Sequence, residues 1–507
     1  MNTTLASIAE LLRDKDLLVR AENLSAETSA TTVTGCDCDN RVPNAGHIFV
    51  CKGHAFKTAY LTSALGRGAV AYLCDESRAD EYAAAAPGVP ALVVSDIRRA
   101  MAEVAVAAFG HPDRCLTMVG ITGTKGKSTT AYMLRAMIEQ GSAEPRAAIM
   151  GSIETFDGVE REASLNTTPE APDLWRHIAN ARDAGLSHMV MEVSSQALKY
   201  DRVAGLELDV AAFLNIGRDH ISPIEHPNFE DYFESKLRIF RQARCAVVNK
   251  GTDLLDRVLE AARQSERLLT FSIDDPTADV WASDVRPDGA GMRFTAHTPS
   301  WEGEVALSLA GMFNVENALA ALAMAEAIGL PCDKAQAGLA NVSVPGRMEV
   351  IESTDGMVTG IVDFAHNKMA FSRFFPAVRK QFPGRPIVSV FGAVGDKALE
   401  RREELPAEAA RWSTHLVFTE DDPGTEPVAD ICAAMEAATP SGVPCETVLD
   451  REDAVRRAVD IAYELGTPAV VCVLCRGTEP TQHRGTRFEP APLDADLLRD
   501  AFARHGG

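Results

Sequence analysis

Several features are missing from this chain of 507 residues, and each absence narrows what it can do. No run of about 18 apolar residues exists, so no helical membrane span is expected. The start, Met1 to Leu12, has no basic segment followed by an apolar stretch, so no signal peptide is expected and the cytoplasm is the expected compartment. Basic residues are in the minority, 50 Lys and Arg against 72 Asp and Glu. The resulting net charge of −22 disfavours nucleic acid as a partner, and an anionic substrate would need a local basic patch. Low-complexity tracts are absent. The 11 cysteines are odd in number and scattered, which suits reduced thiols rather than a disulfide framework. One close pair is Cys36-x-Cys38; the other, Cys472-x-x-Cys475, falls in an apolar run that reads as a buried strand. Residues three apart on a strand face opposite ways, so no shared metal is expected there. What remains is an ordinary globular composition, 46% apolar and 24% charged, long enough for two to four domains.

The most informative stretch is Gly120-Ile121-Thr122-Gly123-Thr124-Lys125-Gly126-Lys127-Ser128-Thr129-Thr130. Cys115 to Ile121 before it reads as a buried strand. After it, Ala131, Leu134, Met137 and Ile138 have the one-face spacing of a helix. A glycine turn at such a junction points backbone N–H groups and the positive helix end at one spot, which stabilises a nucleotide phosphate. Lys127 supplies a point charge for the outer phosphates and Ser128 a hydroxyl for Mg²⁺. The strict phosphate-loop pattern places Gly where this chain has Ile121, with Gly120 and Gly123 on either side. A glycine turn without a ligand is the alternative, and Gly-Lys-Ser at a strand-to-helix junction argues for the nucleotide.

Along the chain, residues 1–112 read as a small α/β domain, closed by the breaker Gly110-His111-Pro112-Asp113. Residues 113–345 alternate strands and helices like a doubly wound sheet, with strand candidates at 115–121, 188–193, 210–216 and 245–249. Residues 346–507 repeat that alternation after Pro345-Gly346. Ligands sit beyond the carboxyl ends of such strands. Polar residues there are Glu192, Ser194, Ser195 and Gln196 after one strand, and Asn215, Arg218, Asp219 and His220 after the next. An acid and a histidine at the edge that carries a phosphate loop make a candidate Mg²⁺ site. Each alone would read as a strand-end acid and a surface histidine.

Downstream come Gly311-Met312-Phe313-Asn314-Val315-Glu316-Asn317, Pro345-Gly346-Arg347-Met348-Glu349 and Val362-Asp363-Phe364-Ala365-His366-Asn367. In this order, with the nucleotide loop, they resemble the Mur ligase family, which builds the peptide of bacterial cell-wall precursors. The resemblance implies an α/β fold of three domains. These are an N-terminal UDP-substrate domain (1–112), a central ATP-binding domain with a phosphate-loop parallel sheet (113–345) and a Rossmann-like C-terminal amino-acid domain (346–507). Asn166-Thr167-Thr168-Pro169-Glu170, Met191 to Gln196, and Arg218-Asp219-His220 with Phe233 to Lys236 are similar to the members that extend UDP-N-acetylmuramoyl-L-alanyl-D-glutamate by a third residue.

By that resemblance, ATP phosphorylates the substrate carboxylate, and an incoming amine attacks the acyl phosphate. The loop residues Gly123, Thr124, Lys125, Gly126, Lys127, Ser128 and Thr129 would bind ATP, and Lys127 would hold its β- and γ-phosphates. Ser128 and Glu192 would hold one Mg²⁺. His220 would help hold a second, together with Lys236, which matches a lysine carbamylated by CO₂. Lys127, Glu192, His220 and Lys236 form the implied catalytic set. Asn314, Asn317, Arg347 and Asp363 would contact the nucleotide. Asn166, Thr167, Thr168, Ser194 and Arg202 would hold the muramoyl dipeptide. The implied partners are that dipeptide and a free diamino acid, with no nucleic acid or membrane insertion, and a monomer is the expected state.

The acceptor reading rests on Asp421-Asp422-Pro423-Gly424. Members that add meso-diaminopimelate carry Asp-Asn-Pro-Arg, and without that arginine a second carboxylate would be buried unpaired. Asp422 suits a distal ammonium instead, so L-lysine is expected, with L-ornithine close behind and meso-diaminopimelate the remaining alternative. Glu479 matches an acid that binds the side-chain amine. Lys397 stands where many relatives have an arginine for the acceptor carboxylate. Cys475-Arg476-Gly477 departs from the family's Gly-Lys-Gly, and Tyr200 from a common polar residue. The competing reading, a folylpolyglutamate synthase, lacks a counterpart for residues 1–112.

Overall fold

Apolar runs alternate with amphipathic helices, and the chain folds accordingly into covered, largely parallel sheets. The computed structural model describes residues 3–42, 44–53, 55–164, 166–219, 221–222, 225–289, 291–485 and 487–506. They form two compact units, Met1–Val280 with Ala320–Ala335, and Trp281–Leu319 with Gln336–Gly507.

In the first unit, β1 (Leu18–Glu22), β2 (Gly35–Asp37), β3 (His47–Cys51), β4 (Ala71–Asp75) and β5 (Ala91–Val94) lie in the order β1-β5-β4-β3-β2. Only β1 pairs antiparallel there. A second sheet contains β6 (Thr117–Thr122), β7 (Ala147–Met150), β8 (Glu154–Phe156), β9 (Arg161–Ala163), β10 (His188–Glu192), β11 (Leu208–Phe213), β12 (Ala243–Asn249) and β13 (Arg267–Ser272). Their order is β13-β12-β11-β6-β10-β7-β8-β9. The central strand β6 is buried on both faces through Met118, Val119 and Ile121, as a middle parallel strand must be. Its parallel register sets Glu192 of β10 beside Ile121 and Phe213 of β11 beside Thr122. The segments that follow these three strands therefore leave the sheet at one edge.

Element ends differ from the sequence pattern in two informative places. Pro112–Cys115 forms a 3₁₀ turn, so β6 starts only at Thr117. Strand β11 stops at Phe213 rather than at residue 216, which leaves the Asn215 side chain able to bond the nucleotide loop. Strands β7 to β9 carry no strong periodicity and had no counterpart in the sequence reading.

The second unit holds the antiparallel strands β14 (Val280–Asp288), β15 (Gly291–His297) and β16 (Glu302–Leu307). It also holds β17 (Glu349–Glu352), β18 (Val358–Asp363), β19 (Ile387–Phe391), β20 (His415–Phe418), β21 (Cys445–Thr447) and β22 (Ala469–Leu474). These six lie in the order β17-β18-β22-β19-β20-β21. A hairpin of β23 (Thr481–Arg484) and β24 (Arg487–Pro490) follows. Along β22, Val470, Cys472 and Leu474 enter one hydrophobic cluster and Ala469, Val471 and Val473 the other. That alternation is the signature of a strand covered on both faces. Cys475 breaks it, and corrects the expectation that the two cysteines face opposite ways. It lies past the strand end at φ 85°, which turns it into the same cluster as Cys472. Both thiols are free and buried.

Candidate active site

In the first unit the nucleotide loop is built from its own glycines and from the strand beside it. Gly126 sits at φ 90° as the N-cap of the helix Lys127–Glu139, a conformation that an L side chain resists. Ser128 and Thr129 are buried in that helix's first turn. Asn215 clamps the loop: its Oδ1 accepts from the Lys125 N–H at 2.9 Å and its Nδ2 donates to the Lys125 carbonyl at 3.0 Å. Its own carbonyl accepts from the Thr124 N–H at 3.0 Å. The Thr124 hydroxyl accepts from the Gly217 N–H at 3.0 Å and shares a hydrogen bond with the Tyr232 hydroxyl at 3.1 Å.

Three lysines converge on this loop. The Lys127 ammonium donates to the Gly123 carbonyl at 3.1 Å, and Lys236 Nζ donates to the same oxygen at 2.9 Å. Lys125 pairs with Asp219 at 3.2 Å. Lys236 is only 2% exposed and lies 4.8 Å from the centre of the Tyr232 ring. Burial, and then the Lys127 charge, push its ammonium well below the usual lysine range, with Asp219 opposing. Tyr232 was missed by the sequence reading, although it precedes Lys236 by four residues on one helix and so shares its face. His220 lies outside the described residues.

Glu192, at the end of β10, is buried. Its carboxylate accepts from the Ser152 N–H at 2.8 Å and from the Ser152 hydroxyl at 3.3 Å. A Cβ on the neighbouring Gly151 would stand 2.3 Å from the Glu192 Oε1, so the close approach requires glycine. Ser152 also bonds Thr167 at 2.9 Å. Thr168 is buried; its hydroxyl donates to the Glu192 carbonyl at 2.9 Å and accepts from the Ser194 N–H at 3.0 Å. The Ser194 hydroxyl caps the helix Ser195–Lys199. Arg202 donates to the Thr168 carbonyl at 3.1 Å and pairs with Glu170 at 2.9 Å. Glu170 in turn pairs with Lys52 at 2.6 Å. Burial raises its carboxyl, but Lys52 and Arg202 outweigh that and hold it below the usual range. The residues expected around a dipeptide are thus one bonded chain, with Asn166 exposed nearby in sequence. Ser152 was missed because β7 was; the polar residue after that strand was the available signal.

Asn314 and Asn317 of the second unit lie in the helix Met312–Ala327, and both are buried. Asn317 donates to the Asn314 side-chain oxygen at 3.2 Å, and Asn314 to the Ala310 carbonyl at 2.7 Å. Asp363, ending β18, accepts from the N–H groups of Met348 at 2.7 Å and Ala365 at 2.8 Å. Arg347 stacks over Phe364 at 4.5 Å.

The acceptor candidates form a separate cluster in this unit. Asp421 is buried, which pushes its carboxyl up. Asp422 pairs with Lys397 at 3.1 Å. Glu479 is exposed to solvent. Even so, the protein crowded around it, and then the Asp421 charge, push its carboxyl up to about 7, with Arg476 opposing. Arg476 donates to the Glu479 carbonyl at 2.9 Å. Arg451, unmarked in the sequence reading, pairs with Asp494 and donates to the carbonyls of Glu420 at 3.0 Å and Leu474 at 2.8 Å. It ties the segment that follows β20 to the end of β22.

Comparison with known proteins decides the family. Residues 121–325 match the Mur ligase middle domain, and residues 346–477 match the Mur ligase, glutamate ligase domain. A UDP-N-acetylmuramoyl-L-alanyl-D-glutamate--L-lysine ligase of Enterococcus faecalis is 34% identical over 514 residues, covering 99% of this chain and 99% of its own. The chain belongs to the Mur ligase family. A second Mur ligase relative, a UDP-N-acetylmuramyl-tripeptide synthetase of Bifidobacterium longum, is 38% identical over 521 residues and 98% of each chain. The solved structure of a UDP-N-acetylmuramoyl-L-alanyl-D-glutamate--2,6-diaminopimelate ligase aligns over 100% of both chains, with a TM-score of 0.67 and 25% identity. This Mur ligase has the family's α/β architecture of three main sheets, and no helix among its described residues is long and apolar enough to cross a membrane.

Proposed function

We propose that this Mur ligase joins L-lysine to the D-glutamate carboxylate of UDP-N-acetylmuramoyl-L-alanyl-D-glutamate, with ATP forming an acyl phosphate first. The observation that carries the reading is the pair Lys127 and Lys236 on one carbonyl of a helix-capping glycine loop. In the proposed reaction Lys127 meets the outer phosphates and the loop N–H groups orient them. The Thr168, Ser194 and Arg202 chain holds the dipeptide. Its carboxylate would compete with Glu170 for Arg202, so the basic group is already shaped around an acid. Asn314, Asn317, Arg347 and Asp363 contact the nucleotide, and the three domains 1–112, 113–345 and 346–507 divide the substrates between them. The UDP-linked substrate makes the cytoplasm the proposed compartment, and the enzyme acts as a monomer.

The donor set suits Mg²⁺. Glu192 is a buried carboxylate whose hydrogen bonds come from Ser152, and a carboxylate has further lone pairs to offer. With Ser128 it would hold one ion, and His220 with carbamylated Lys236 a second, all by hard oxygen or imidazole donors. Bound there, the ions would neutralise charge on the transferred phosphoryl group.

Acceptor choice is assigned to Asp421, Asp422 and Glu479, with Lys397 near the acceptor carboxylate. Phosphate release should occur with ATP, Mg²⁺, the UDP dipeptide and L-lysine, with mass spectrometry identifying the tripeptide. Turnover with meso-diaminopimelate but not L-lysine would overturn the acceptor assignment and leave the ligase class standing.

A pH effect follows from Glu479. Below about pH 7 its carboxyl holds a proton, and above it carries the charge that attracts an ammonium. The KM for L-lysine should therefore fall several-fold from pH 6 to pH 8, and Glu479→Gln should flatten that slope. A slope unchanged in Glu479→Gln would remove this residue from the acceptor site.

A further inference from the structure

The hairpin of β23 and β24 grips the Glu420–Gly424 segment residue by residue. Arg484 holds the Glu420 carboxylate, the Gln482 side chain donates to the Asp421 carbonyl, and Gly485 N–H donates to the Gly424 carbonyl at 2.7 Å. Between them, His483 Nδ1 bonds Asp422 Oδ1 at 2.9 Å. The other Asp422 oxygen, Oδ2, receives Lys397 Nζ at 3.1 Å. The two partners differ in kind. Lys397 reaches Asp422 from solvent with 67% of its side chain exposed, an ion pair held weakly and exchanged readily. His483 is fixed from behind by stacking on Phe488, centroids 4.5 Å apart and planes 10° apart, which anchors the ring against the neighbouring strand.

The geometry points to His483 as a positioning residue for acceptor selection. It locks one oxygen of Asp422 so that the other stays aimed outward, where Lys397 rests and where the distal ammonium of a diamino acid takes its place. This deepens the L-lysine assignment and rests on it. Because a neutral imidazole can donate from Nδ1, the role needs a donor at that position and not a charge. Asparagine, whose amide nitrogen reaches a similar place, should preserve it. The charged and titratable groups around the pair are Lys397, Asp396, Glu420 and Glu479 from the segments beside the hairpin, and Arg484 from the hairpin itself.

The test is steady-state kinetics of the full chain with two acceptors, L-lysine and L-2-aminohexanoate, which has the same carbon chain without the ammonium. In His483→Phe the KM for L-lysine should rise about ten-fold while kcat and the KM for ATP change less than two-fold. The kcat/KM for L-2-aminohexanoate should change little, so selectivity for the ammonium falls. His483→Asn should restore most of it. An unchanged L-lysine KM in His483→Phe would overturn the assignment, and so would an equal loss with both acceptors. Absence of L-lysine turnover in the unaltered protein would instead overturn the acceptor reading beneath it.

Discussion

Replacing Lys236 by alanine should lower ligation about 10³-fold or more, the cost of losing a group that stabilises charge at a transferring phosphoryl centre. A cation at this point is difficult to justify as it stands. Lys236 is buried, beside Lys127, and donates to a carbonyl that Lys127 already uses. Burial and the Lys127 charge both favour the neutral amine. A neutral amine adds to CO₂, its nitrogen forming a bond to carbon and releasing one proton, and the product is an anionic carbamate. The sign of the charge then reverses, and the lysine becomes a partner for its basic neighbours and a ligand of the kind Mg²⁺ prefers. Two further results separate this from simple loss of packing. Added short carboxylates should restore part of the activity of Lys236→Ala, since they replace the missing anion. Lys236→Arg should stay inactive, because a guanidinium remains charged and forms no such adduct. ATP binding measured by calorimetry should survive in both variants. More than a tenth of normal activity in Lys236→Ala would rule out the carbamate role.

The nucleotide loop was legible because its chemistry is local. The end of a strand, three glycines, two lysines and the Ser128 hydroxyl lie within eleven consecutive residues, and the backbone N–H groups supply the rest. Glu192 was legible for a related reason: parallel register forces the ends of neighbouring strands to one edge, so the polar residue after each strand is a candidate. Thr168, Arg202, Asn314 and Asn317 were singled out only through resemblance. Thr168 bonds Glu192 and Ser194 across 24 and 26 residues, and no spacing announces such a contact. Ser152 went unseen because β7 is four residues long with no alternation to mark it. His483 and Arg451 went unseen because each acts on backbone or side chains far along the chain, through a hairpin and a buried ion pair. The left-handed Cys475 is a different case. The sequence marked it as a departure from glycine, and the structure holds the cysteine in the conformation that glycine adopts most readily.

Arg451→Met should destabilise the protein by about 3–5 kcal/mol, the typical cost of breaking a buried ion pair from one side. Arg451 and Asp494 are 3% and 1% exposed, and the guanidinium meets the carboxylate through two bonds, 2.7 Å and 2.8 Å. Methionine fills much of the volume but leaves Asp494 buried without its partner and leaves the Glu420 and Leu474 carbonyls without their donor. Against a total stability of about 5–15 kcal/mol, that is a large fraction. Urea unfolding of the whole chain would measure it as a lower midpoint, and the thermal midpoint should drop by about 10 °C. Arg451→Met combined with Asp494→Leu should recover most of the loss, because the charge left behind is then removed as well. Under the proposed acceptor assignment, the functional consequence should be confined to the acceptor. The Glu420 carbonyl belongs to the segment that carries Asp421 and Asp422, and the Leu474 carbonyl immediately precedes Cys475. Loosening both should raise the KM for the diamino acid more than that for ATP, even in the stabilised double variant. A single variant that loses less than about 1 kcal/mol would show that packing, and not this ion pair, fixes the two segments.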